Sequence, residues 1–83
     1  MAITYIIKSE KTMKFYVGSS HFCNPLKRLK EHNSGKVHYT KPGRPWNLIH
    51  FESFKTYTEA RKRELFLKTG IGRKWIYNNF RNK

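Results

Sequence analysis

The 83-residue sequence predicts an α/β domain, a three-stranded antiparallel sheet flanked by helices. Three observations carry that expectation. Residues 3–7 and 14–18 are β-branched and aromatic runs joined by the polar link Ser9-Glu10-Lys11-Thr12-Met13, the pattern of a β-hairpin. Residues 46–54 form a third run of strand character. Helix-start signals precede the remaining segments, Asn24-Pro25 and the capping-box sequence Thr56-Tyr57-Thr58-Glu59. No repeat and no linker divides the chain, so residues 1–83 read as a single domain.

Each element follows from local chemistry. Gly18 closes the second strand, where the backbone must bend or admit a close neighbour. Pro25 at the first helical position begins a helix that runs to about His32, with Leu26 and Leu29 turned toward the core. Asn33-Ser34-Gly35 stops it. Residues 35–45, GKVHYTKPGRP, hold two prolines and two glycines and read as a loop. In the third strand, Leu48, His50, Glu52 and Phe54 alternate with Asn47, Ile49, Phe51 and Ser53. A helix from Tyr57 to Thr69 ends at Gly70, and a last helix from Arg73 to Phe80 turns Trp75, Ile76 and Phe80 inward.

Charge narrows the function. Eighteen Lys and Arg against five acids give a net charge of +13, spread along the chain. Such an excess selects a polyanion, nucleic acid before all others. A membrane partner is not expected, because no long amphipathic basic helix and no run of about 18 apolar residues is present. The start of the chain lacks the pattern of a signal peptide, which predicts a cytoplasmic protein. Cys23 is the single cysteine, so neither an internal disulfide nor a Cys-rich zinc site is expected; it reads as a small buried or half-buried apolar residue. The acids are all glutamates. A carboxylate cluster for two metals is therefore out of reach, and one Mg²⁺ or Mn²⁺ on one carboxylate, with water and phosphate oxygens, is the most the chain can build.

Four groups of residues carry candidate chemistry. Glu64 sits on the stripe Tyr57, Ala60, Glu64, Leu67, in the middle of an apolar helix face. Left unpaired there, its charge would cost stability, and Glu64→Gln would recover it. Pairing with Lys68 or Arg61 is the structural alternative. Arg28 and His32, four apart on one helix face, suit a grip on a scissile phosphate and a contact to phosphate or a proton transfer, or are simply solvated. Tyr5 and Tyr16 can serve as bases only if a nearby cation lowers their ordinary pKa of about 10. The basic and aromatic stretch from His38 to Trp46, with Lys27, Lys30, Lys36, His38, Lys41 and Arg44, suits a phosphate backbone, while Trp46 itself belongs to the core. Tyr39, Tyr57, Tyr77, His21 and His50 read as structural.

Thr4-Tyr5 and Tyr16-Val17-Gly18 together resemble the paired signature of the GIY-YIG nuclease superfamily, with Ile3, Thr4 and Val17 departing from it. Residues 26–35 resemble the helix of its small, single-domain branch and of its structure-selective nucleases, where the Arg and His are active-site residues. Glu64 matches the metal-ligand glutamate of that superfamily. The resemblance implies a GIY-YIG-like fold and a metal-dependent DNA endonuclease, structure-selective in repair or recombination. It implies Tyr5, Tyr16, Arg28, His32 and Glu64 as the catalytic set, with Glu64 holding Mg²⁺ or Mn²⁺. DNA is the expected partner, and a protein partner is one way to supply the selectivity that a chain without a recognition domain lacks. Two other classes stand beside it: a catalytically silent nucleic-acid-binding module of the same fold, and a basic RNA-associated structural protein.

Overall fold

The computed structural model describes residues 1–82. Three strands, β1 (Ala2–Ser9), β2 (Phe15–Ser20) and β3 (Trp46–Phe54), form one antiparallel sheet in the order β2-β1-β3. Helix α1 (Pro25–Asn33) joins β2 to β3, and α2 (Tyr57–Leu67) and α3 (Gly70–Phe80) follow. The central strand is buried along its whole length, so its two sets of side chains found two cores. Ile3, Tyr5 and Ile7 pack with Trp46 and the half-buried Leu29 on the α1 side. Ile6 packs with Val17, Leu67, Ile76 and Phe80 on the α2–α3 side.

The helix caps are those the sequence signals. The Asn24 side chain accepts from the Leu26 N–H at 3.0 Å, and Thr56 accepts from the Glu59 N–H at 3.2 Å. Gly35 follows the end of α1 with φ +85°, a left-handed position that a side chain would resist. The loop beyond it is more ordered than its composition predicts. It contains a short 3-10 turn, Lys41–Gly43, and is clamped at its far end. There Asn33 accepts from the Trp46 N–H at 2.7 Å and donates to the Trp46 carbonyl at 3.0 Å.

Several expectations are corrected. Gly18 does not end the second strand, which continues to Ser20. Gly70 opens α3 instead of closing α2, because Thr69 caps α3 by accepting from the Gly72 N–H. In β3, Leu48 and His50 do not share a face. The register slips between Ile6 and Ile7, so Ile49 is an inserted bulge residue and the alternation reverses there. Leu48 packs with the α1-side core, whereas Ile49 packs with the other. Leu26 is 62% exposed, since the first turn of α1 lies beyond the cover of the sheet. Cys23 is exposed in the loop before α1.

Among the described residues, Asn33 is the side chain that bonds both backbone groups of Trp46 at the start of β3. Asn33→Ala is expected to cost about 1–3 kcal/mol, because two buried backbone groups lose their partner. A urea midpoint unchanged from the native value would refute that role.

Candidate active site

The site is organised by Tyr5. From the centre of the sheet its ring crosses β2 over Gly18, its register partner. A Cβ at position 18 would lie 2.4 Å from the Tyr5 hydroxyl, so only glycine lets the ring lie there. The hydroxyl reaches His32 Nε2 at 2.8 Å, and His32 Nδ1 meets Thr40 Oγ1 at 2.7 Å. Thr40 Oγ1 donates to the Val37 carbonyl at 3.3 Å. Its proton being used there, Thr40 accepts from Nδ1–H. His32 therefore presents Nε2 as an acceptor, and Tyr5 donates to it. Arg28 Nη2 donates back to the Tyr5 oxygen at 3.4 Å, while Nη1 pairs with Glu31 at 2.6 Å. Arg28 Nε is buried without a hydrogen-bond partner.

Burial sets the protonation of this row. Tyr5 is 1% exposed, and burial pushes its phenol up to about 12 despite the opposing Arg28 charge. His32 is wholly buried. Burial first, and the Arg28 charge second, lower it to about 4, so it is neutral at pH 7. The expected contact of His32 with a phosphate oxygen is thus corrected: no part of the ring faces outward. Its ring also packs 5.2 Å from that of Tyr16, which stands half-buried on the same side of the sheet.

Glu64 approaches the same strand from the opposite side. It is buried on α2 between Ala60 and Leu67, as the stripe predicts. It is not unpaired. Arg61 binds one carboxylate oxygen at 2.8 Å, to which the Ser19 hydroxyl also donates, and Lys68 binds the other at 2.5 Å. Burial pushes the Glu64 carboxyl up, but the Lys68, Ser19 and Arg61 hydrogen bonds outweigh that and hold it below the usual range. The expected gain from Glu64→Gln is therefore reversed, because the substitution removes the charge that Arg61 and Lys68 pair with and turns one acceptor oxygen into a donor facing a cation. Lys68 Nζ also lies 5.7 Å above the Tyr16 ring, which links the Glu64 cluster to the aromatic one. Adjacent residues of β2, Gly18 and Ser19, thus bring Tyr5 from one face and Glu64 from the other to one edge.

Two members of this arrangement have little signal in the sequence. Thr40 lies in a loop with no periodicity. Ser19 would have emerged only from carrying the strand alternation past Gly18. Of the basic residues expected to meet phosphate, Lys27, Lys30, Lys36, His38 and Lys41 are exposed. Arg44 is half-buried, its Nε donating to the Lys41 carbonyl at 3.0 Å. His50 is structural, packed against Trp75 and Phe80 and bonded to Glu52 at 3.0 Å. His21 stacks on Tyr57 at 3.8 Å. Tyr39 and Tyr77, read as packed residues, are instead 79% and 57% exposed.

A donor set of one buried carboxylate with a neighbouring hydroxyl suits a hard cation that keeps most of its water. Among the described residues no group of three or more His, Cys, Asp or Glu could hold a metal, so Glu64 would be its single acidic ligand.

A three-stranded sheet with tyrosines on two neighbouring strands, an Arg-His helix and a buried helical glutamate defines a nuclease-type domain. The chain belongs to the GIY-YIG catalytic domain family, which matches residues 1–78. Curated relatives are similar over most of it. A UPF0213 protein of Listeria monocytogenes is 40% identical over 65 residues, covering 77% of this chain and 69% of the relative. The UPF0213 protein YazA of Bacillus subtilis is 44% identical over 66 residues, covering 77% and 63%. One from Syntrophus aciditrophicus is 43% identical over 67 residues, covering 77% and 72%. Among the described residues no helix is long and apolar enough to cross a membrane.

The buried neutral His32 gives a pH signature. When unfolded, it takes up a proton near 6.5; folded, it refuses one until about 4. Stability is therefore complete above pH 6.5 and is lost as pH falls toward 4. Glu64 and Glu52, held below their ordinary 4.5, add their losses only beneath that value. Native protein is expected to lose about 2 kcal/mol between pH 6.5 and 4.5, measured by urea unfolding. His32→Gln should abolish that slope; the same slope in the variant would assign it elsewhere.

Proposed function

We propose that the chain is a metal-dependent endonuclease that hydrolyses phosphodiester bonds in DNA. The observation that carries this reading is the row Thr40–His32–Tyr5–Arg28. At pH 7 a phenol with a pKa of about 12 is almost never ionised, so Tyr5 is poorly suited to act as a standing phenolate. It suits positioning instead. His32 Nε2 holds the phenolic proton, which leaves the Tyr5 oxygen to accept from and orient the attacking water. Thr40 keeps His32 in the tautomer that accepts. Arg28, beside the phenol, supplies fixed positive charge for the phosphorane. Tyr16, half-buried between His32 and Lys68, orients the water or the phosphate.

GIY-YIG nucleases generally depend on a divalent metal. Here Glu64 would hold it, with the Ser19 hydroxyl beside it, and the ion would stabilise the leaving oxygen as a Lewis acid. Mg²⁺ and Mn²⁺ both fit such oxygen ligands. The net charge of +13 supports DNA as the polyanion, with an affinity that falls steeply as salt rises. Cleavage selective for branched or flapped DNA, in repair or recombination, is the finer form of the reading.

One observation favours the catalytically silent alternative. Both oxygens of Glu64 already carry cationic partners, Arg61 and Lys68, which an incoming metal must displace.

Nicking of labelled branched DNA with Mg²⁺ or Mn²⁺ separates the two. Tyr5→Phe, His32→Gln and Glu64→Gln are each expected to lower cleavage by about 10²–10⁴. Duplex affinity should stay within a few-fold. Cleavage at the native rate in Glu64→Gln, or in EDTA, would sink the mechanism. Native protein inert with either ion would establish the silent module.

A further inference from the structure

Beyond the Tyr5 row, the β2 edge opens into a groove of about 840 Å³ between β2, the loop before β3, the end of α2 and the middle of α3. Its aromatic lining includes Tyr16, Tyr39 and Tyr77, and its cations are Lys14, Lys68 and Arg73. Tyr39 and Tyr77 are the anomaly. Large rings 79% and 57% exposed gain nothing for the core, and here two of them border one groove. The Tyr39 ring stands 5.7 Å from that of Tyr16, which in turn packs on His32. The groove is therefore continuous with the candidate active site, through Tyr16 on one side and Lys68, the Glu64 partner, on the other.

Charge and shape together select the occupant. Three cations suit a phosphate backbone, and exposed aromatic faces suit planar rings. In a duplex the base faces are already stacked on one another, so these tyrosines would meet only sugar and phosphate. An unpaired base offers its face. A space of this size accommodates a ligand of nucleotide size or slightly larger.

We propose that this groove seats an unpaired nucleotide of single-stranded DNA flanking the scissile phosphate. Its base stacks on Tyr39 and Tyr77, and its phosphates meet Lys14, Lys68 and Arg73. The proposal deepens the DNA-cleavage reading by naming the form of DNA, and it rests on that reading for the strand being DNA.

The test is fluorescence anisotropy with the full chain in EDTA at fixed salt, using two labelled probes: a short oligo-thymidylate and an abasic strand of the same length and charge. Native protein is expected to bind the thymidylate strand about 5- to 140-fold more tightly than the abasic one, the range for stacking one base on an aromatic ring. Replacing both tyrosines, Tyr39→Ala with Tyr77→Ala, should erase that preference, and Tyr39→Trp with Tyr77→Trp should restore it. Both positions are exposed, so the variants keep the core intact. Equal affinity of native protein for the two strands overturns the proposal, as does a preference that survives the double alanine variant. The readout needs neither metal nor turnover, so a chain that never cleaves DNA leaves a positive result standing. Conversely, cleavage without base-dependent binding removes the groove proposal alone.

Discussion

A buried phenol must place its proton, and in this chain that one requirement fixes four segments against one another. Tyr5 comes from the central strand, Gly18 supplies the bare backbone it crosses, His32 comes from α1 and Thr40 from the loop beyond. Each hydrogen bond in the row is set by the next: the Val37 carbonyl takes the Thr40 proton, which turns His32 Nε2 into an acceptor, which in turn gives Tyr5 somewhere to donate. Buried polar groups are costly when any member is unsatisfied, so the row is stable only complete. That completeness orders an otherwise irregular loop and positions the end of α1 against the sheet.

The same logic separates the two halves of the site by polarity. On the α1 side burial favours neutral forms, with His32 held well below its ordinary range and Tyr5 well above. On the α2 side the buried group is charged, and Glu64 stays ionised because Lys68, Ser19 and Arg61 surround it. A neutral hydrogen-bonded row and a compensated carboxylate thus reach one strand edge from opposite faces of the sheet. A chain of 83 residues has little core to spare for such groups. Giving each of them a hydrogen-bond or ionic partner limits the cost of burying them.

Much of this was legible in the sequence, because it rests on local patterns. Strand composition, the Asn24-Pro25 start and the Thr56–Glu59 box carry the order of elements, and helical spacing places Glu64 on the buried face of α2. What failed depended on distant partners. The bulge at Ile49 follows from pairing β3 with β1, and no property of residues 46–54 alone announces it. The N-capping role of Thr69 competes with the usual reading of Gly70 as a helix stop, and the packing of α3 decides it. His32 looks like a solvated helix residue at i+4 from Arg28, yet it is buried because Tyr5 needs it. Thr40 and Ser19 were invisible for the same reason: each matters only through a side chain far away in sequence.

The edge position of the site carries a further consequence for the sheet itself. β2 has a neighbour on one side only, so its outer backbone groups invite pairing with another chain. Lys14, Lys68 and Arg73 stand along that side, and a second copy bringing the same cations would meet like charge. A polyanion meets the opposite. In the proposed reading, the charges that keep the edge from pairing with itself are also the ones that would admit a phosphate backbone to Tyr5 and Glu64. On that reading, discouragement of edge pairing and access of an anionic substrate would follow from one arrangement of side chains. The exposed tyrosines among those cations are compatible with both, since their rings are flanked by charge that repels another copy of the chain.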